Sequence, residues 1–144
     1  MREADITIHS VIENLDGTAD TERTHTETVG RFSLTADGAC LAWQEKNEDS
    51  EVESQLFVVG DTVKAERHGS IESSLTFTEG KRFESLYKIG PYAFDCAVTA
   101  RRVKSTLSEG GISVTVVYEM ELGGAVRLVK MKIRADVKTE VPDA

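Results

Sequence analysis

Basic residues are scarce in this 144-residue chain: Lys and Arg number 17 against 25 Asp and Glu, for a net charge of −8. Nucleic-acid affinity rests on neutralising phosphates with Lys and Arg, and attraction to an anionic bilayer rests on the same residues. The charge balance therefore argues against both partners. Cysteine is equally sparse. Cys40 and Cys96 lie far apart, form no CxxC and suggest no disulfide framework, so reduced thiols and a cytoplasmic setting are expected. Long apolar runs are missing too: nothing approaches the roughly 18 uninterrupted apolar residues of a membrane helix. The opening MREADITIHS carries charge too early for a secretory leader.

Catalytic templates are also absent. The chain contains no GxSxG, no HExxH, no P-loop, and no GxGxxG between a strand and a helix. Its three histidines, His9, His25 and His68, fall on separate strand-like segments without metal-ligand spacing, although His9 and His25 can meet across the first hairpin. Neither cysteine has a basic neighbour in sequence to activate it. No enzymatic activity, no cofactor and no metal site is expected.

What the chain does contain is enough apolar material, 40% of residues, for one core over residues 1–144. Its acid is uneven. Residues 1–60 hold 13 acids and 4 bases, net −9, whereas residues 61–144 hold 12 acids and 13 bases, net +1. The early acids are interleaved singly with apolar residues, the pattern of a solvated face.

Turn chemistry recurs at short intervals. Asp37–Gly38, Gly60–Asp61, Gly110–Gly111 and Gly123–Gly124 read as hairpin turns, the first among them by positive φ, and Gly90–Pro91 reads as a breaker. Between the turns the apolar residues alternate with period two. Ile112, Val114, Val116, Tyr118, Met120 and Leu122 share one face, as do Val129, Met131, Ile133, Ala135 and Val137, with Lys130, Lys132 and Arg134 on the other. No segment has helical periodicity. Strands are expected near 4–13, 24–35, 38–46, 51–59, 62–68, 71–78, 82–89, 92–105, 111–122 and 125–138, with a polar loop over 14–23. Sequential hairpins of this number must curl as twist accumulates. The expected fold is all-β: an antiparallel up-and-down barrel of about 8–10 strands, lipocalin-like (calycin) in type, without substantial helix.

Alternation also assigns faces. If Leu41 and Val63 point inward, so do Trp43, Glu45 and Arg67; Tyr118 lies among the inward residues of its strand, and Tyr87 shares a face with Phe83. These five residues are the candidate ligand contacts. Two readings remain open: a lumen with aromatic walls and fixed polar groups that holds a small ligand, or a structural Glu45–Arg67 pair at a closed barrel end with both tyrosines hydrogen-bonded to backbone.

The run VKAERHGSIESSLTFTEGKRFESLY, followed by VTVVYEMELGG, resembles the YwiB-like proteins, small uncharacterised bacterial proteins with a lipocalin-like barrel. Arg67, Gly69, Phe77, Gly80, Tyr87 and Tyr118 carry the likeness, with Gly30 in TETVGRF and Glu45 in LAWQE upstream. The resemblance implies the fold and no activity. Two roles follow as expectations: a non-enzymatic barrel that binds a small, partly apolar ligand or a peptide end in its interior, or a module that meets a protein partner or a second copy of itself through its charged surface. No helix is available to cover a lumen.

Overall fold

The computed structural model describes residues 1–15 and 21–138. Ten strands follow one another: β1 (Arg2–Asn14), β2 (Thr21–Leu34), β3 (Gly38–Lys46), β4 (Glu51–Val59), β5 (Thr62–Gly69), β6 (Ile71–Phe77), β7 (Arg82–Ile89), β8 (Tyr92–Ser108), β9 (Gly111–Leu122) and β10 (Ala125–Val137). Each pairs antiparallel with its sequence neighbour, and β1 also pairs with β10 from Ala4↔Val137 to Asn14↔Arg127, so the sheet closes on itself. This is the up-and-down barrel that the alternation implies, and no described residue is helical. Closure pairs the edges that an open ten-stranded meander would leave exposed.

Two local expectations change. The polar stretch over 14–23 is partly strand: Thr21, Glu22 and Arg23 pair with Glu13, Ile12 and Val11 of β1. Thr21–Arg23 lack an apolar residue and so resemble a loop by composition, although the register of β2 continues through them. The remainder of that loop, 16–20, lies outside the described residues. Gly38 does not adopt positive φ. It is required by close approach instead, since a Cβ there would sit 1.7 Å from the Val58 carbonyl oxygen. Gly123 and Gly124, at φ 59° and 83°, do form a left-handed two-residue turn of the kind that matches strand twist.

The turns at 35–37, 60–61, 78–81 and 109–110 gather at one end of the barrel, and those at 47–50, Ser70, 90–91 and 123–124 at the other. The first end is filled. Ile6, Phe32, Leu41, Leu56, Val58, Val63, Phe77, Val98, Val114 and Val116 are fully buried there and in the barrel's middle, close-packed as a small barrel's interior usually is. Toward the second end the inward residues become polar or only half-buried, as with Ser10, Glu45, Arg67, Tyr87 and Met120. The interior is a plug at one end and a cup at the other.

Two seams shape the wall. Strands β6 and β7 pair only at Ile71↔Ile89 and Glu72↔Lys88. Where they diverge, the turn leans onto β8: Glu79 bridges Ala100, the Gly80 N–H donates to the Ala100 carbonyl at 2.8 Å, and the Val103 N–H donates to Glu79 Oε1 at 3.0 Å. The β7–β8 ladder ends at Arg82↔Thr99, and beyond it the carboxylate supplies the acceptor for that N–H. The second seam, between β2 and β3, has no such closure.

Candidate functional site

The β2–β3 ladder runs from Leu34↔Ala39 to Gly30↔Trp43 and stops; the next pairs in register, Val29 opposite Gln44 and Thr28 opposite Glu45, do not form. Beyond that point β2 continues against β1 alone and β3 against β4 alone. Gly30 stands at the fork. A Cβ on it would meet the Ala42 carbonyl at 2.2 Å, Ile6 Cδ1 at 2.6 Å and Trp43 Cβ at 3.0 Å, so only glycine lets β2 pass this close to β3 before they part.

A cavity of about 560 Å³ spans the cup and its opening at this seam, where Glu27, Gln44, Lys46, Gln55 and Glu66 border it from the outer face. Its apolar wall comes from Ile8, Leu56, Ala65, Met131 and Ile133, and its polar wall from Ser10, Thr24, Thr26, Thr28 and Ser54. Trp43, Glu45 and Arg67 complete the lining. The volume falls within the usual range for small-molecule sites, and the mixture of apolar wall with a few polar groups is typical of them.

Register places the central groups. Trp43 opposes Ser54, Ser54 opposes Arg67, and Arg67 opposes Ser73, so four inward side chains stand in one row across β3, β4, β5 and β6. Directly opposed residues have Cβ atoms roughly 5 Å apart, which puts the two serine hydroxyls on either side of the Arg67 stem. Glu45 stands one inward step higher, opposite Val52. Its carboxylate accepts a hydrogen bond from Trp43 Nε1 at 3.1 Å, holding the indole against the wall.

Glu45 and Arg67 therefore do not form the structural pair that the sequence left open. The row offset and the intervening strand β4 separate them, and they stand at the open end of the barrel. Among the described residues, Arg67 takes part in no ion pair or side-chain hydrogen bond, although the other cationic groups of the neighbourhood do: Lys64 and His68 hold Glu66 at 3.0 and 3.6 Å, and Lys46 holds Glu51 at 3.5 Å. Lys64 and His68 hold the Glu66 carboxyl below its ordinary range, against a smaller opposing effect of desolvation. Ser54 is 2% exposed and its Oγ has no hydrogen-bond partner. Such a group is costly unless something meets it.

The tyrosines lie elsewhere. Tyr118 belongs to the buried core beneath the cup, its ring tilted against Phe77 with centroids 4.5 Å apart. Burial pushes its hydroxyl up to about 12, and the nearby positive charge of Arg67 draws it partly back. Tyr87 is half-buried and packs on the core from β7. Of the five sequence candidates, Trp43, Glu45 and Arg67 line one cavity, whereas Tyr87 and Tyr118 are not among its lining residues.

Sequence reasoning missed Ser54 and the threonines of β2. Ser54 interrupts the buried alternation of Val52, Leu56 and Val58, which is a usable signal. Thr24, Thr26 and Thr28 fall within the strand expected over 24–35, but without apolar alternation nothing assigned them a face. The expected free thiols are present: Cys40 is half-buried and Cys96 buried, and burial pushes both up. His9 and His25 do meet, with Nδ1 atoms 3.0 Å apart, but no group of three or more potential metal ligands occurs among the described residues.

A family model described as "Domain of unknown function (DUF1934)" matches residues 6–134. Among solved structures, the chain is similar to the crystal structure of the ywiB protein from Bacillus subtilis, with TM-score 0.85 and 20% identity. The match covers 96% of this chain and 93% of that one. At that identity the likeness shows the fold. No curated protein matches the chain.

Proposed function

The chain belongs to the DUF1934 family, and on that premise we propose that it is a non-catalytic binding protein whose barrel takes a small, partly apolar molecule into the cup at the β2–β3 seam. The observation that supports this reading is a cavity of about 560 Å³ whose lining joins an apolar wall to Trp43, Glu45 and Arg67. A side-chain-filled barrel needs no such space. Trp43 is the chain's single tryptophan, so the site carries its own reporter. Titration with the neutral fluorophore N-phenyl-1-naphthylamine should quench Trp43 saturably at 1:1 stoichiometry. Ala65→Phe, which projects a ring into the cavity from β5, should reduce that affinity by tenfold or more. A linear, unsaturated response in the wild-type protein would remove the reading.

A second reading rests on the outer surface. Lys104, Lys130 and Lys132 are exposed on β8 and β10 and take part in no ion pair among the described residues. Through register, Thr115 of β9 stands between Lys104 and Lys132, which joins them into one basic stripe on a net acidic protein. Such a stripe suits an acidic protein partner or the acidic face of a second copy. Sedimentation velocity at 20 and 500 mM NaCl tests self-association, which salt should weaken; a salt-insensitive monomer would exclude the second copy.

A further inference from the structure

We infer that Arg67, with Ser54 beside it, is a carboxylate subsite, so that the molecule taken into the cup is an organic monoanion with its acid end on Arg67 and its apolar body against Ile8, Met131 and Ile133. The inference rests on the reading of the cup as a binding site and names the ligand class for it. Three observations carry it.

Arg67 is half-buried and turned into the cavity without a carboxylate partner among the described residues. A guanidinium removed partly from water is normally paired, and its planar donor fork fits a carboxylate with two parallel hydrogen bonds. Ser54 Oγ is buried beside it with no partner and lines the same cavity, whereas Ser73, on its other side, is not among the lining residues. The Ser54 hydroxyl can donate to an anion held on Arg67. Below them Tyr118, held neutral by burial, places no negative charge near the subsite.

The charge of the lining selects between anions. Of the charged lining residues, Glu45 and Arg67 stand on inward faces, whereas Glu27, Lys46 and Glu66 border the opening from the outer face, with Glu66 held by Lys64 and His68. One guanidinium offsets one negative charge. A second charge, as on a phosphate monoester dianion, would meet the inward Glu45 and no further inward cation among the lining residues. A carboxylate fits, and a dianion is repelled. The threonines at the seam leave a polar path by which an acid group can enter without complete loss of water contact.

Decanoate, decan-1-ol and decyl phosphate, each titrated against Trp43 emission and against displacement of N-phenyl-1-naphthylamine at pH 8, separate the possibilities. Decanoate should bind at least tenfold more tightly than decanol and than decyl phosphate. In Arg67→Met the preference over decanol should fall to near one, Arg67→Lys should recover part of it, and Ser54→Ala should reduce decanoate affinity severalfold. Near-UV circular dichroism of Trp43 checks that each variant is folded; should Arg67→Met not fold, the wild-type preference and Ser54→Ala decide. Equal affinity for decanoate and decanol, with the neutral fluorophore still bound, would overturn the carboxylate subsite while leaving the cup as a binding site. Tighter binding of decyl phosphate would overturn the monoanion assignment. Absence of saturable binding by every probe would remove the underlying reading as well.

Discussion

Tyr118→Phe should leave the protein almost unchanged at neutral pH and make it more resistant to alkali. The ring that packs on Phe77 is retained, and at neutral pH the hydroxyl is protonated in both folded and unfolded chains. Burial raises the folded-state pKa from 10 to about 12. The unfolded chain therefore releases this proton first. Stability from the neutral tyrosine is complete below pH 10 and is lost as pH rises through the interval up to about 12. A two-unit displacement corresponds to about 2.7 kcal/mol at its limit, of which about 1.4 kcal/mol is lost by pH 11 and about 2.3 by pH 12. With a urea slope on the order of 2 kcal/mol/M for a domain of this size, the wild-type midpoint at pH 11 should fall about 0.7 M below that of Tyr118→Phe. Both proteins carry the same other alkaline groups, so the difference between their midpoints from pH 8 to 11.5 isolates Tyr118. Circular dichroism at 215–220 nm follows unfolding, and absorbance at 295 nm should show one late phenolate step that the variant lacks. Parallel midpoints across the whole range would refute the account.

Gly30→Ala should lower stability by about 1–3 kcal/mol, because its methyl group would enter the Ala42 carbonyl and Ile6 and either strand must shift. Urea midpoints and a displaced Trp43 emission maximum would report it, and an unchanged midpoint would mean that β2 and β3 do not approach so closely. Ser54→Ala should keep or raise the stability of the ligand-free protein by about 1 kcal/mol, since the lost hydroxyl has no partner. A loss greater than about 1 kcal/mol in thermal or urea unfolding would show that the hydroxyl is satisfied.

The barrel was legible in the sequence because strand faces obey a period of two. In β9 and β10 every second residue is apolar, and the structure buries Val114, Val116, Ile133 and Ala135 on that alternation. Inward placement of Trp43, Glu45 and Arg67 followed from the same rule applied to Leu41 and Val63. The rule specifies a face and not a neighbour, which is why a Glu45–Arg67 pair remained open until register separated them by a strand and a step. It also placed Tyr118 on the lumen side without distinguishing the filled depth of the barrel from its open end.

An acidic chain of antiparallel strands, sequential hairpins and a particular set of inward residues can be read directly from the amino-acid order. These are local properties: propensity, turn chemistry and alternation act within a few residues of chain. Where two neighbouring strands cease to pair is set instead by the closed sheet as a whole. The β2–β3 ladder ends at Gly30↔Trp43, and beyond it the two strands part beside the cavity that Ser54 and Arg67 line. The row Trp43–Ser54–Arg67–Ser73 joins four strands whose members are up to 30 positions apart. Its existence depends on the relative shift of each hairpin, which pairing across the whole closed sheet sets at once.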